Sequence, residues 1–102
     1  MSLILAAVIR LASDIDRPRR RGWRCVCEFE EVVSGDGERL VGVEIAPTDR
    51  EEVPLGEETE VTLRLWAPLS RVPRPHTRVR FYEGERLVAD GTARGVIETG
   101  SA

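Results

Sequence analysis

Cys25, Cys27, His76 and the arginines between Arg17 and Arg24 are the side chains of this sequence whose types and spacing suit chemistry. In an extended segment, cysteines two positions apart point to the same face. Same-strand neighbours of this kind are poorly placed for a relaxed disulfide. Together with His76, the single histidine, they fall short of the four ligands that a structural zinc site takes. The pair therefore reads as buried free thiols, which points to a reducing, cytosolic setting. His76 is flanked by Arg74, Pro75 and Thr77, and these do not make a nucleophile, base and orienting group. No enzyme activity, metal or cofactor is expected from this inventory.

Binding chemistry is better represented. Arg17, Arg19, Arg20, Arg21 and Arg24 form one local basic cluster, with Trp23 inside it. Arginines that neutralise phosphates, with an aromatic ring on which a base stacks, are the usual equipment of an RNA-binding loop. Against this, the formal net charge is −3, so no global basic field draws the chain onto nucleic acid or anionic lipid. Trp23 is also expected to point inward, on the face shared by Cys25. The second candidate is an apolar protein interface. Trp66 alternates with Leu63 and Leu65 onto the opposite, outward face, and Pro68, Pro73 and Pro75 lie in the loop that follows. An exposed tryptophan beside such a loop is expected to meet a protein partner or a second copy of the chain. The acidic stretch from Asp49 to Glu60 reads as a solvated edge.

Composition bounds the scaffold that has to carry these groups. The sequence has 102 residues, 41% apolar and 32% charged, which suits one soluble domain with a single core. All 15 basic residues are arginine, which reads first as a codon bias. The apolar run of MSLILAAVIR ends at Arg10 and has no basic leader, so it is too short to span a bilayer and reads as a first strand. No membrane association is expected, and the expected location is cytoplasmic.

Period-2 alternation dominates the rest of the chain. Strands are predicted over Leu3 to Ile9, Trp23 to Phe29, Leu40 to Ala46, Glu60 to Ala67 and Arg78 to Phe81, then from Arg86 through Gly91 to Glu98. Arg17 to Arg24 is read as a connection because it holds Pro18 and Gly22. Ser34-Gly35-Asp36-Gly37 is a strong turn signal, flanked by Val32-Val33 and Leu40-Val41 as a candidate hairpin tip. Val53 and Leu55 are expected to anchor a loop or short strand. Glu83-Gly84-Glu85 marks the turn of the last hairpin. Gly91 and Gly95 suit a bending strand at a barrel corner, and Gly100-Ser101-Ala102 reads as a frayed tail. With no sustained helical period, the residues give an all-β fold, a small closed barrel or a sandwich.

The stretch PHTRVRFYEGERLVADG, from Pro75 to Gly91, resembles the last hairpin of the C-terminal β-barrel (third domain) of elongation factor Tu, whose family pattern is close to RFAIREGGRTVGAGVV. Glu83-Gly84 falls on the family's turn, Arg86 on its arginine and Gly91 on its second later glycine. Upstream, Gly56 and Pro68 match a turn glycine and a strand-ending proline. The likeness covers nearly the whole chain, with the last thirty or so residues its specific part. It implies a six-stranded antiparallel barrel standing alone, without the family's GTPase domain. No GxxxxGK[ST] loop is present, so GTP hydrolysis is not expected. In the family this barrel helps to hold the T-stem of aminoacyl-tRNA, which implies that Glu83 and Gly84 would contact RNA. Gly22 and Ala67 depart from the pattern, standing where the family has a glutamine and commonly a lysine. The expectation from the sequence is a non-enzymatic protein-binding module. An RNA- or tRNA-binding module using Arg17 to Arg24 with Glu83-Gly84 is the alternative.

Overall fold

A computed structural model describes residues 3–99, and every regular element in it is extended. The strands are β1 (Leu3–Leu11), β2 (Arg19–Arg20), β3 (Trp23–Phe29), β4 (Val41–Pro47), β5 (Glu52–Val53), β6 (Thr59–Leu65), β7 (Arg78–Glu83) and β8 (Arg86–Thr99). Six of them close into an antiparallel barrel in the order β1-β6-β4-β3-β7-β8, with β8 returning to β1, while β2 and β5 form a separate two-stranded ribbon. The fold is all-β and the closed barrel is six-stranded. No described helix is long and apolar enough to cross a membrane. The frayed tail expected at Gly100-Ser101-Ala102 lies outside the described residues.

Alternation builds the core. Val61, Leu63 and Leu65 of β6, Val41, Val43 and Ile45 of β4, and Val79 and Phe81 of β7 are buried. They lie on one pleat face of each strand while their neighbours point outward. Full burial of each such side chain contributes about 1.5–3 kcal/mol. Register keeps the faces aligned: Leu63 lies opposite Leu5 on one side and Ile45 on the other, and Cys27 lies opposite both Val41 and Phe81.

The last hairpin closes on a two-residue turn, where Gly84 takes φ 64°. A positive φ at the first central residue is what a II′ turn places on glycine. Close approach explains Gly91. It pairs with Ile9 of β1 and Val79 of β7, and a Cβ there would lie 2.0 Å from the backbone oxygen of Val8. At this position the barrel can close only around a residue without a side chain. Register shifts between β7 and β8 and along β1 and β8 add the local twist that closure needs.

Three expectations are corrected. Arg19-Arg20 is a short strand rather than a plain connection, because it pairs with Glu52-Val53. Val32-Val33 and Leu40-Val41 do not flank a hairpin. Val32 bridges back to Phe29, Ser34 bridges to Leu69, and Leu40 stays exposed just before β4. Of the pair expected to anchor the acidic loop, Val53 is buried but Leu55 is exposed.

Candidate functional site

Trp66 follows the last residue of β6, and its N–H donates to the Gly42 carbonyl at 3.1 Å, continuing the β4–β6 ladder by one step. Its indole lies across the outer surface of β4 in the space that Gly42 leaves. A Cβ on Gly42 would come 2.6 Å from Trp66 Cε3. On the next strand, the Arg24 guanidinium sits 5.6 Å from the indole centroid, a cation–π arrangement. Trp66 is nevertheless 53% exposed. Beside it runs an outward row in which Arg24, Glu44 and Arg64 are register neighbours across β3, β4 and β6. A single carboxylate thus stands between two guanidinium groups, leaving the row net positive.

The proline loop below this face is ordered by the neighbouring chain. Gly35 N–H donates to the Pro68 carbonyl at 2.8 Å and Ser70 N–H to the Val33 carbonyl at 2.7 Å. Pro68 and Pro75 are exposed, and Val72 and Val33 add apolar surface. Pro73 is buried, so the expectation that it belongs to the docking surface is corrected.

The arginine cluster is divided by the fold. Arg19 donates through Nε and Nη2 to the two oxygens of Glu83, both at 2.9 Å, and Trp23 Nε1–H donates to the same carboxylate at 2.7 Å. The Arg19 guanidinium also lies 5.8 Å from the Trp23 ring centroid. Its hydrogen bond to Arg19, helped by Trp23, holds the Glu83 carboxyl below the usual carboxylate range, against the opposing cost of burial. Arg21 caps carbonyls, donating to Pro47 at 2.7 Å and to Arg50 at 2.8 Å. Arg24 is on the other surface, over Trp66. Arg17 and Arg20 are exposed and make no ion pair among the described residues. The two halves of the RNA-contact expectation, Arg19 and Glu83, are brought together as partners of each other. Gly84 is exposed at the turn.

Of the two thiols, Cys25 lies near the Arg19–Glu83 pair and Cys27 lies in the core. Trp23 is buried with its ring 6.3 Å from that of Phe81. Cys27 is buried, Cys25 is partly buried, and both are unpaired. Burial pushes the Cys25 thiol up to about 12 and raises Cys27 further. His76 is exposed, takes φ 72°, and uses its N–H on the Ala93 carbonyl at 2.7 Å.

Two features were not read from the sequence. One is a cleft of about 380 Å³ between β3, β7 and the loop after β3, where Glu28, Glu30, Glu31, Arg39, Arg78 and Arg80 converge. Within it Arg80 lies opposite Glu28, which pairs with Arg39 at 3.2 Å; outside it the alternation of sign continues, with Asp90 opposite both Arg80 and Arg10, and Arg10 paired with Glu58 at 3.7 Å. Strand alternation hints at the charges but not at the register that lines them up. The other is the overhang of β8 past β7, which depends on relative strand lengths. In comparisons with known proteins, no family model matches the chain and no curated protein does.

Proposed function

We propose that the chain is a non-enzymatic protein-docking module whose contact surface is the Trp66 face. The observation that carries this reading is the half-exposed indole, held flat on Gly42 with Arg24 stacked over it. Tryptophan and arginine are among the residue types that most often carry the binding energy of protein interfaces. Arg24 and Arg64 around Glu44 favour a partner that brings an apolar side chain flanked by a carboxylate. Similarity to the third domain of elongation factor Tu supports the same direction, since that barrel packs against a neighbouring domain in its family. The unpaired thiols suit a reducing cytosolic compartment.

RNA binding is the weaker reading because Arg19, Arg21 and Glu83 already satisfy one another or the backbone. The deciding experiment is capture on the immobilised chain from native cytosol, with and without nuclease, alongside a Trp66→Ser variant. A retained protein partner that survives nuclease, and whose affinity falls at least about tenfold in Trp66→Ser, is the expected result. Loss of every partner on nuclease treatment overturns the reading in favour of RNA. So does affinity that falls steeply with salt, as release of counterions from phosphates requires.

A further inference from the structure

Outward positions on an antiparallel sheet that faces water are commonly polar, and on β1 they are not. Ile4, Ala6 and Val8 alternate with the buried Leu5, Ala7 and Ile9, and all three are partly exposed. Register places Ala6 opposite Thr62 of β6, and Thr62 opposite Ala46 of β4. The outer wall across these strands therefore has small side chains at its centre, with Ile4 and Val8 to either side along β1.

The two ends of this wall differ in charge. At the end of β6 stand Arg64 and then Trp66, with Arg24 over its ring. At the start of β6 stands Glu60, with Glu58 just before the strand and a turn over residues 54–57 preceding it. Leu55 in that turn is 44% exposed, with Glu51-Glu52 before it and Glu57-Glu58 after it. It is an exposed apolar side chain among carboxylates, which is the chemistry that the Trp66 face suits. Arg64 and Glu60 are both exposed, and neither makes an ion pair among the described residues.

We infer that the occupant of the Trp66 face is a second copy of this chain, packed wall to wall so that the Leu55 turn of each copy meets Trp66 of the other. The inference rests on the Trp66 face being a docking surface, and it names what docks there. Turn and tryptophan stand at opposite ends of the same strand, Thr59–Leu65, whose central residue is Thr62. A two-fold axis crossing β6 at Thr62 sets the two copies of the strand antiparallel and makes both contacts at once. The same axis places position 64 opposite position 60, so the two unpaired groups, arginine and glutamate, meet twice. Position 66 falls opposite position 58, where the Leu55 turn enters the strand. Ala6, Thr62 and Ala46 meet their own counterparts and allow a close approach, while Ile4 of one copy faces Val8 of the other. Such a contact is isologous and closes at two subunits. Convex walls touch along a narrow strip, so the dimer belongs at the weak end of the roughly 1,200–2,000 Å² that stable interfaces bury.

Sedimentation velocity over a concentration series, read together with tryptophan emission, tests the inference. The expected result is a reversible monomer–dimer equilibrium, with emission moving to the blue as the dimer forms, because Trp23 is already buried and only Trp66 loses water. Leu55→Ser and Trp66→Ser each weaken the dimer at least about tenfold. Arg64→Glu and Glu60→Arg each set like charges against one another at two symmetric positions, and each weakens it about tenfold or more. Circular dichroism checks that every variant keeps the barrel. Mixing the Arg64→Glu and Glu60→Arg chains in equal amounts restores association, because every 64–60 contact in the mixed dimer joins opposite charges. A chain that is monomeric throughout the series overturns the inference. So does a dimer indifferent to Leu55→Ser or Trp66→Ser, or a mixture of folded variants that fails to associate. A different protein held through Trp66 by a chain that stays monomeric overturns the second copy as occupant and leaves the docking face standing. Capture of a partner that is indifferent to Trp66→Ser, with the chain monomeric, overturns both.

Discussion

The guanidinium of Arg19 and the carboxylate of Glu83 meet in a two-pronged pair with both contacts at 2.9 Å, 64 positions apart in the chain. This pair ties the β2–β5 ribbon to the tip of the last hairpin, and Trp23 Nε1–H completes the carboxylate's shell. A bidentate arginine pair is stronger than a monodentate one and geometrically selective. The Arg19 and Glu83 side chains are 20% and 35% exposed, so solvent screens part of its energy.

Glu83→Gln is expected to destabilise the barrel by about 1–2 kcal/mol, the range for losing a charge-assisted pair that is partly screened. The pH sign follows from the lowered carboxyl. A group whose folded-state pKa lies below its unfolded value contributes in full above the unfolded value, about 4.3 for glutamate. That contribution fades as pH falls through the folded value. Urea unfolding of the native chain should therefore lose stability below about pH 4.5, with a smaller loss in Glu83→Gln. Equal slopes in the two proteins would contradict the assignment.

Gly91→Ala should prevent proper closure. Its Cβ would sit 2.0 Å from the Val8 backbone oxygen and 2.8 Å from Ile9 Cα, and backbone cannot yield as a side-chain end does. The expected cost is about 3 kcal/mol or more, the upper part of the overpacking range. Gly95→Ala, where added atoms meet open space, is the matched control and should cost less than about 1 kcal/mol. Comparison of their thermal midpoints checks the pair.

Neither thiol should react in the native protein. Burial moves Cys25 up to about 12 and Cys27 further, so almost no thiolate exists at pH 8 to attack a disulfide reagent. Two equivalents should appear only on unfolding, making thiol release a readout of opening between β3 and its neighbours. Rapid labelling of one thiol in the folded chain would place Cys25 differently.

Legibility in the sequence followed the range of the forces involved. The alternating runs around Cys27, Leu63 and Val79 are local, and the strands fall there. The Gly84 turn is also local, since one residue's φ decides it. The β2–β5 pairing was hidden because Arg19-Arg20 and Glu52-Val53 are each two residues long, below the length at which any period can be read. In the candidate sites, the outward placement of Trp66 follows from alternation, but its seat on Gly42 depends on the β4–β6 register. Nothing near Arg19 in the sequence announces Glu83, and Pro73 carries no mark that distinguishes it from the exposed Pro68 and Pro75.

Gly42 gives a way to move Trp66 without altering the indole itself. Gly42→Ala places a methyl group 2.6 Å from Cε3 and 3.2 Å from Cζ3. The obstructed atoms belong to an exposed ring, so the indole swings off β4 rather than forcing the strand apart. The stability change should stay within about 1.5 kcal/mol, the cost of a new rotamer and a lost cation–π contact. Tryptophan emission should shift to the red, because Trp23 remains buried and only Trp66 gains water. If the Trp66 face docks a protein, Gly42→Ala should weaken that complex while keeping the aromatic side chain, since binding depends on the ring being held in place beforehand. Full affinity with a displaced ring would mean that the partner contacts some other part of the barrel.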